Sequence, residues 1–351
     1  MKCLQRPNLP QLIRVLGVLA ALGATVACSE DAVQPEGSGA QDAGTADGIV
    51  GSDVDVADDS TFSELSQSAD ALTNTLDGDE PDLAIDVEID LGPSLDESLQ
   101  AALREAIDEN FNDVEAPGVV IAVTRPGFSP WLEARGLSSR APSIDMAVGS
   151  QVRIGSITKT FIASAVMRLV ERGDLDLDES PGWLLDEFDL DSRITVRQLL
   201  SHESGVFNYT DDRTFIGPAQ QAAEPSEVIE FATEHGAVFE PGAGHSYSNT
   251  NYYLLGLLLE DAYDEPLEEL LENEFYGPLG LTHSLLETGE VEVPGLSKGY
   301  TVGVETTYLF DPSWAWAAGG MISTTTDLCS WANALFSGEV VSEQSRAHSP
   351  R

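Results

Sequence analysis

The chain has 351 residues, with 60 Asp or Glu against 17 Lys or Arg, a formal net charge of -43 at pH 7 and a 42% hydrophobic composition. Phosphate backbones need a basic footprint to release their counterions, and no local patch of Lys and Arg interrupts this acidic field, so nucleic acid is excluded as a partner. Three Cys exclude a disulfide-rich scaffold, while the length and apolar fraction suffice for one large domain or two small ones.

The first element, residues 1–28, reads as a signal peptide. Lys2, Arg6 and Arg14 precede an apolar run from Val15 to Ala27 that ends in small residues and is too short to cross a bilayer. Thr25-Val26-Ala27-Cys28-Ser29 resembles a bacterial lipobox with Thr where Leu is usual, which makes Cys28 a candidate lipidation site. Cleavage near Ala27 with Cys28 as an incidental thiol is the alternative. The expected protein is exported and meets the membrane through a lipid anchor at the cell surface or, as Ser29 favours, the outer membrane; without the anchor it is periplasmic or extracellular.

Residues 29–93 are rich in Asp, Glu, Gly, Ala and Ser, hold no Lys or Arg, and have Phe62 as their only aromatic residue. Too little apolar surface can be buried there to offset the entropy of ordering, which predicts an extended, disordered acidic linker. The run Asp53, Asp55, Asp58 and Asp59 lacks the Gly and closing Glu of an EF-hand loop and reads as a solvated charge run rather than a calcium site.

The folded domain is expected over 94–351. Ser94 and Glu97 offer a capping box, and Leu95, Leu99, Leu103 and Ile107 make one apolar helix face. Val119 to Val123 reads as a buried strand, Arg125-Pro126-Gly127 as a turn, and Trp131 to Ala134 as a returning strand. Next comes Arg153-Ile154-Gly155-Ser156-Ile157-Thr158-Lys159, followed by Phe161, Ile162, Ala165, Val166 and Leu169 at helical spacing and a stop at Gly173. Ser156 then opens a buried helix, and Lys159, three residues on, shares its face. Desolvation there lowers the lysine pKa, as a Ser/Lys nucleophile pair requires; a capping serine with a surface lysine is the alternative. Further on, the turn-rich segment Glu240 to Asn251 presents Tyr247 and Asn249 on one side of an extended loop before the apolar helix Leu254 to Leu259. A phenol there can shuttle a proton and a carboxamide can hold a substrate amide.

These motifs resemble those of the serine hydrolases of the class C β-lactamase and D-alanyl-D-alanine carboxypeptidase family, which also holds esterases and D-aminopeptidases. The pattern is similar at Arg172-Gly173-Asp174-Leu175-Asp176-Leu177-Asp178, at Ile194 to Gly205 and at Ala318-Gly319-Gly320-Met321-Ile322-Ser323-Thr324, in family order from about Pro117 to about Trp331. The resemblance implies an α+β, β-lactamase/transpeptidase-like fold, an antiparallel sheet flanked by helices with a mostly helical subdomain inserted from about Asp174 to Leu271. It implies attack by Ser156 on a carbonyl, with Lys159 and Tyr247 sharing the proton transfers and Asn249 orienting the acyl amide. No metal and no cofactor is needed. The implied substrates are small molecules or peptides: a peptidoglycan-type peptide, with a D-alanyl-D-alanine carboxypeptidase-like activity favoured by the envelope location, or a β-lactam or ester.

His202 reads within this pattern as part of a turn after a helix rather than as a base, and His245 as an exposed loop residue or a tuner of Tyr247. Trp314 and Trp316 wall the cleft or pack in the core, Asp174, Asp176, Asp178 and Glu179 form a solvated turn, and Cys329 is a buried free thiol. The family also has a third element, Lys or His followed by Thr or Ser and Gly, on an edge strand well after Gly319-Gly320; this chain ends first, so its C-terminal strands are expected to be missing. Ser297-Lys298-Gly299-Tyr300 lacks the hydroxyl residue and stands too early to replace it. Residues Ser345 to Arg351 turn polar and basic, as a frameshift or a misplaced stop leaves them. The reading from a different class is therefore a truncated, non-catalytic envelope protein that only binds ligand.

Overall fold

The computed structural model describes residues 93–111, 116–125, 128–289 and 293–348. The signal peptide, Cys28 and the acidic linker up to residue 92 lie outside the described residues, as does the turn at Pro126-Gly127.

Helix α1, Glu97–Phe111, has its apolar residues on one face as expected, but Leu99, Leu103 and Ile107 are only half-buried. Its cap is Asp96 rather than Ser94: Asp96 Oδ1 accepts from Leu99 N–H at 2.9 Å and from the Ser98 hydroxyl at 2.6 Å. The helix begins at Glu97, so the expected capping box sits two residues too early to reach the free N–H groups. Arg104–Glu133 and Arg135–Asp108 ion pairs tie α1 to the hairpin beneath it. That hairpin is β1, Gly118–Val123, antiparallel to β2, Trp131–Arg140, with Val120 opposite Ala134. A third strand, β3, Ser143–Asp145, pairs with the far end of β2 across a register shift. Contrary to the sequence expectation of a buried strand, β1 is half-buried at every position.

Five further strands are short: β4, Val152–Arg153; β5, Leu285–Leu286; β6, Tyr300–Thr301; β7, Val304–Glu305; and β8, Met321–Ser323. The expected single sheet is thus present as separate antiparallel ladders among the described residues, β1-β2-β3, β4-β8-β5 and β6-β7. Strand β8 is central in its ladder and wholly buried.

The helical part packs on β8. It comprises α2, Thr158–Arg172; α3, Gly182–Glu187; α4, Val196–Leu200; α5, Pro225–Thr233; α6, Asn249–Tyr263; and α7, Leu267–Leu271. Between Asp174 and Leu271 the pairing of extended chain, among the described residues, is the single bridge Val206–Ala237, so this span is mostly helical as expected. Helix α2 ends where Gly173 takes φ +79, a left-handed position that a side chain disfavours, and its N–H closes on the carbonyls of Leu169 and Val170. Helices α8, Trp316–Gly319, and α9, Thr325–Ser337, flank β8, and α10, Glu343–His348, follows. The core joins these layers: Phe161 of α2 stacks on Trp331 of α9 with centroids 3.7 Å apart, and Leu254, Leu255 and Leu259 of α6 are fully buried. Where α6 meets α8, Gly256 lets the backbone approach Trp316 so closely that a β-carbon would lie 2.7 Å from the indole. Trp314 and Trp316 are therefore packing residues, 7% and 8% exposed, and not cleft walls.

Candidate active site

Ser156 lies in a single 3-10 turn, Gly155–Ile157, that joins β4 to α2. Strand β8 holds this turn from both sides: Ile154 N–H donates to the Met321 carbonyl at 2.9 Å, and Met321 N–H donates to Thr158 Oγ1 at 3.2 Å. Two residues before the turn, Arg153 makes a two-pronged ion pair with Glu287, at 2.6 and 2.8 Å, and also donates to the Thr307 carbonyl. Glu287 is buried, so this charge pair fixes the approach to Ser156 from a low-dielectric side.

Lys159 is in the first turn of α2 and only 6% exposed. Its Nζ is 3.2 Å from Ser156 Oγ and donates to Asn249 Oδ1 at 2.8 Å and to the Ala318 carbonyl at 2.5 Å. Burial disfavours the ammonium and lowers its pKa to about 7. Carbonyl oxygens can only accept, so a neutral amine spends both of its N–H groups on Asn249 and Ala318. Its lone pair is left for the Ser156 hydroxyl.

Tyr247 completes the group: its phenol oxygen lies 2.8 Å from Ser156 Oγ, and its ring is 5.0 Å from the Lys159 ammonium nitrogen. The surrounding protein pushes the phenol pKa up, and the Ser156 hydrogen bond pulls against that shift. Asn249, expected on an extended loop, is instead the first residue of α6. Its N–H donates to Asn208 Oδ1 at 3.0 Å and its Nδ2 to Thr210 Oγ1 at 3.2 Å, so the carboxamide is aimed with its oxygen toward Lys159. Asn208 also donates to Thr210, and fully buried Asn251 links Ser204 to the Leu199 carbonyl. All four residues predicted for the site are brought together.

Sequence reasoning missed Ala318, Asn208, Thr210, Ser204 and the Arg153–Glu287 pair. The Ala318-Gly319-Gly320 stretch, and Ser204 within Ile194 to Gly205, were visible as family pattern but not as partners of Lys159 and Asn251, and Asn208 and Thr210 lie beyond that pattern. His202 follows α4 and contacts the Tyr247 segment, and His245 is exposed. Lys298 sets its ammonium over the Tyr308 ring, Asp178 pairs with Arg197, and Cys329 is a buried free thiol whose pKa burial raises to about 11.

The family model for Beta-lactamase matches residues 103–351. Penicillin-binding protein PbpX of Bacillus subtilis (strain 168) is 27% identical over 227 residues, which cover 64% of this chain and 54% of the relative. Penicillin-binding protein 4 of Amycolatopsis lactamdurans is 27% identical over 188 residues, covering 52% and 48%. The chain thus spans about half the length of the curated relatives it matches. Among solved structures, D-amino acid amidase from Ochrobactrum anthropi SV3 matches with a TM-score of 0.65 and 27% identity, over 71% of this chain and 74% of its own. A D-stereospecific amidohydrolase from Streptomyces sp. matches with a TM-score of 0.61 and 30% identity, over 70% and 75%. With this fold and a buried lysine set against a turn-borne serine, the chain belongs to the beta-lactamase family of serine hydrolases.

Proposed function

We propose that the chain hydrolyses an amide next to a D-configured residue through an acyl-enzyme on Ser156, with D-alanyl-D-alanine carboxypeptidase-like activity. The observation that carries this reading is the lysine that shares its two N–H groups with Asn249 and Ala318 and faces Ser156 at 3.2 Å. In acylation, Ser156 Oγ forms a bond to the substrate carbonyl carbon while its proton passes to Lys159 Nζ. The Tyr247 hydroxyl gives its proton to the departing amine and is re-protonated from the Lys159 ammonium. The Ser156 N–H stabilises the developing oxyanion, a contribution worth about 100- to 1000-fold per donor. In deacylation water repeats the sequence in reverse and returns the proton to Ser156.

The D-specificity rests on the likeness to a D-amino acid amidase and a D-stereospecific amidohydrolase at 27% and 30% identity. Export and a lipid anchor at Cys28 rest on the sequence of residues 1–29. Radiolabelled palmitate incorporated by the wild type and not by Cys28→Ala supports the anchor; equal labelling removes it.

The substrate test offers three probes to the wild type and Ser156→Ala: an acyl-D-Ala-D-Ala peptide, D-phenylalanine amide and a chromogenic cephalosporin. Serine-dependent release of D-Ala is the expected result. Turnover of only the amide or only the cephalosporin would replace the carboxypeptidase reading, and activity retained in Ser156→Ala would sink the mechanism.

A further inference from the structure

Tyr247 is 43% exposed and sits in a stretch, residues 241–248, with neither helix nor strand. A ring in such a segment has rotational freedom, yet its oxygen is held 2.8 Å from Ser156 Oγ. The brace comes from His202, the residue two positions past the end of α4. His202 has φ +60, a left-handed conformation that few non-glycine residues adopt and that the surrounding contacts must hold.

Turned this way, His202 meets the backbone N–H groups of the two residues that flank the tyrosine. Its carbonyl accepts from Ser246 N–H at 3.0 Å, and its ring Nδ1 accepts from Ser248 N–H at 3.2 Å. Its ring also lies against the phenol, with centroids 4.4 Å apart and planes at 37°. Because Nδ1 accepts, the imidazole proton is on Nε2 and the ring is neutral. Burial first, then the nearby charges of Lys159 and His245, lower its pKa to about 4, so it stays neutral where the enzyme works. The other titratable groups facing it are the phenols of Tyr247 and Tyr252, the latter with its ring 5.4 Å away and its hydroxyl donating to the Leu200 carbonyl at the end of α4.

We propose that His202 is the positioning residue of Tyr247: it holds the backbone N–H groups of Ser246 and Ser248 on either side of the tyrosine, backs its ring, and so fixes the phenol oxygen beside Ser156. It touches neither Ser156 nor Lys159 through a hydrogen bond and acts through the tyrosine. The role rests on Tyr247 being the proton relay proposed above.

A double-mutant cycle tests it, with the acylation burst of p-nitroaniline from D-alanine p-nitroanilide, whose departing amine takes the tyrosine's proton, as readout in wild type, His202→Ala, Tyr247→Phe and the double variant. His202→Ala should slow acylation about 10- to 100-fold, the scale set by misplacing a reacting group by an ångström. The half-saturating anilide concentration should move by less than about threefold, since the tyrosine acts on the transition state. In the Tyr247→Phe background the same change should cost less than about twofold, because the oxygen it positions is gone. His202→Asn, which tolerates the left-handed backbone and keeps an acceptor for Ser248 N–H, should recover part of the rate. If His202→Ala does not fold, as judged by its melting curve, His202→Phe, which has no acceptor for Ser248 N–H, carries the same cycle. Equal penalties in both backgrounds would overturn the positioning role and leave a structural one. A Tyr247→Phe enzyme as fast as wild type would instead overturn the relay reading, and this proposal with it.

Discussion

Replacing Asn249 by Asp changes one atom's chemistry in the lysine's shell and separates two roles for that residue. The Asn249 oxygen is 2.8 Å from Lys159 Nζ, so Asn249→Asp places a carboxylate at ion-pair distance from a buried amine. An opposite charge this close raises a lysine pKa by about one to three units. From a starting value of about 7, a rise of one to two units cuts the neutral fraction at pH 7 from about one half to about one tenth or one hundredth, slowing acylation about 5- to 50-fold. The assay is the acylation rate against pH, from 5.5 to 10, by stopped flow with p-nitrophenyl acetate. The acid limb should sit near pH 7 in wild type and move upward by at least one unit in Asn249→Asp, with most of the rate recovered by pH 10. A loss of constant size at every pH, with the limb unmoved, would refute the reasoning. Asn249 would then serve only the substrate.

Three further outcomes follow from the packing. Lys159 has a lowered pKa in the folded chain, so between about pH 7 and its ordinary value the unfolded lysine keeps a proton that the folded one has released, and stability rises with pH. Lys159→Met removes that slope: the difference in unfolding free energy between wild type and variant should shift by roughly 2 to 3 kcal/mol in favour of wild type from pH 7 to 9 in urea titrations, and parallel profiles would contradict it. Glu287→Gln leaves the half-buried Arg153 without its charge partner beside the Ser156 turn, and should cost about 2 to 3 kcal/mol and lower the melting temperature by roughly 5 to 10 °C. Gly256→Val should destabilise by at least about 1 to 3 kcal/mol in the same melts, because its β-carbon enters the Trp316 ring; a neutral result would mean that α6 and α8 are not packed as described.

Ser156 and Lys159 were legible in the sequence because a spacing of three on a helix is a local rule, and the apolar residues after them showed that the helix would be buried. Tyr247 and Asn249 were legible as a pair, but not the start of α6. The polar run Asn249-Thr250-Asn251 looks like loop until its side chains are seen bonding Thr210, Phe207 and Leu199 across the fold. The Ala318 carbonyl contacts Lys159 across 159 residues and Arg153 reaches Glu287 across 134, and no local pattern announces a backbone carbonyl or a distant carboxylate as a partner. At α1 the expected cap, Ser94, gave way to Asp96 because the helix begins at Glu97, a start that the apolar spacing alone did not fix. The burial of β1 depends on what packs above it, so its apolar run alone predicted more burial than the strand has.

The account rests on Ser156 as nucleophile, and a covalent adduct tests it most directly. After incubation with benzylpenicillin, intact-mass analysis and peptide mapping should find one penicilloyl group per chain, on the peptide carrying Ser156, and none in Ser156→Ala. An adduct on any other residue, or an adduct of equal yield in Ser156→Ala, would contradict it.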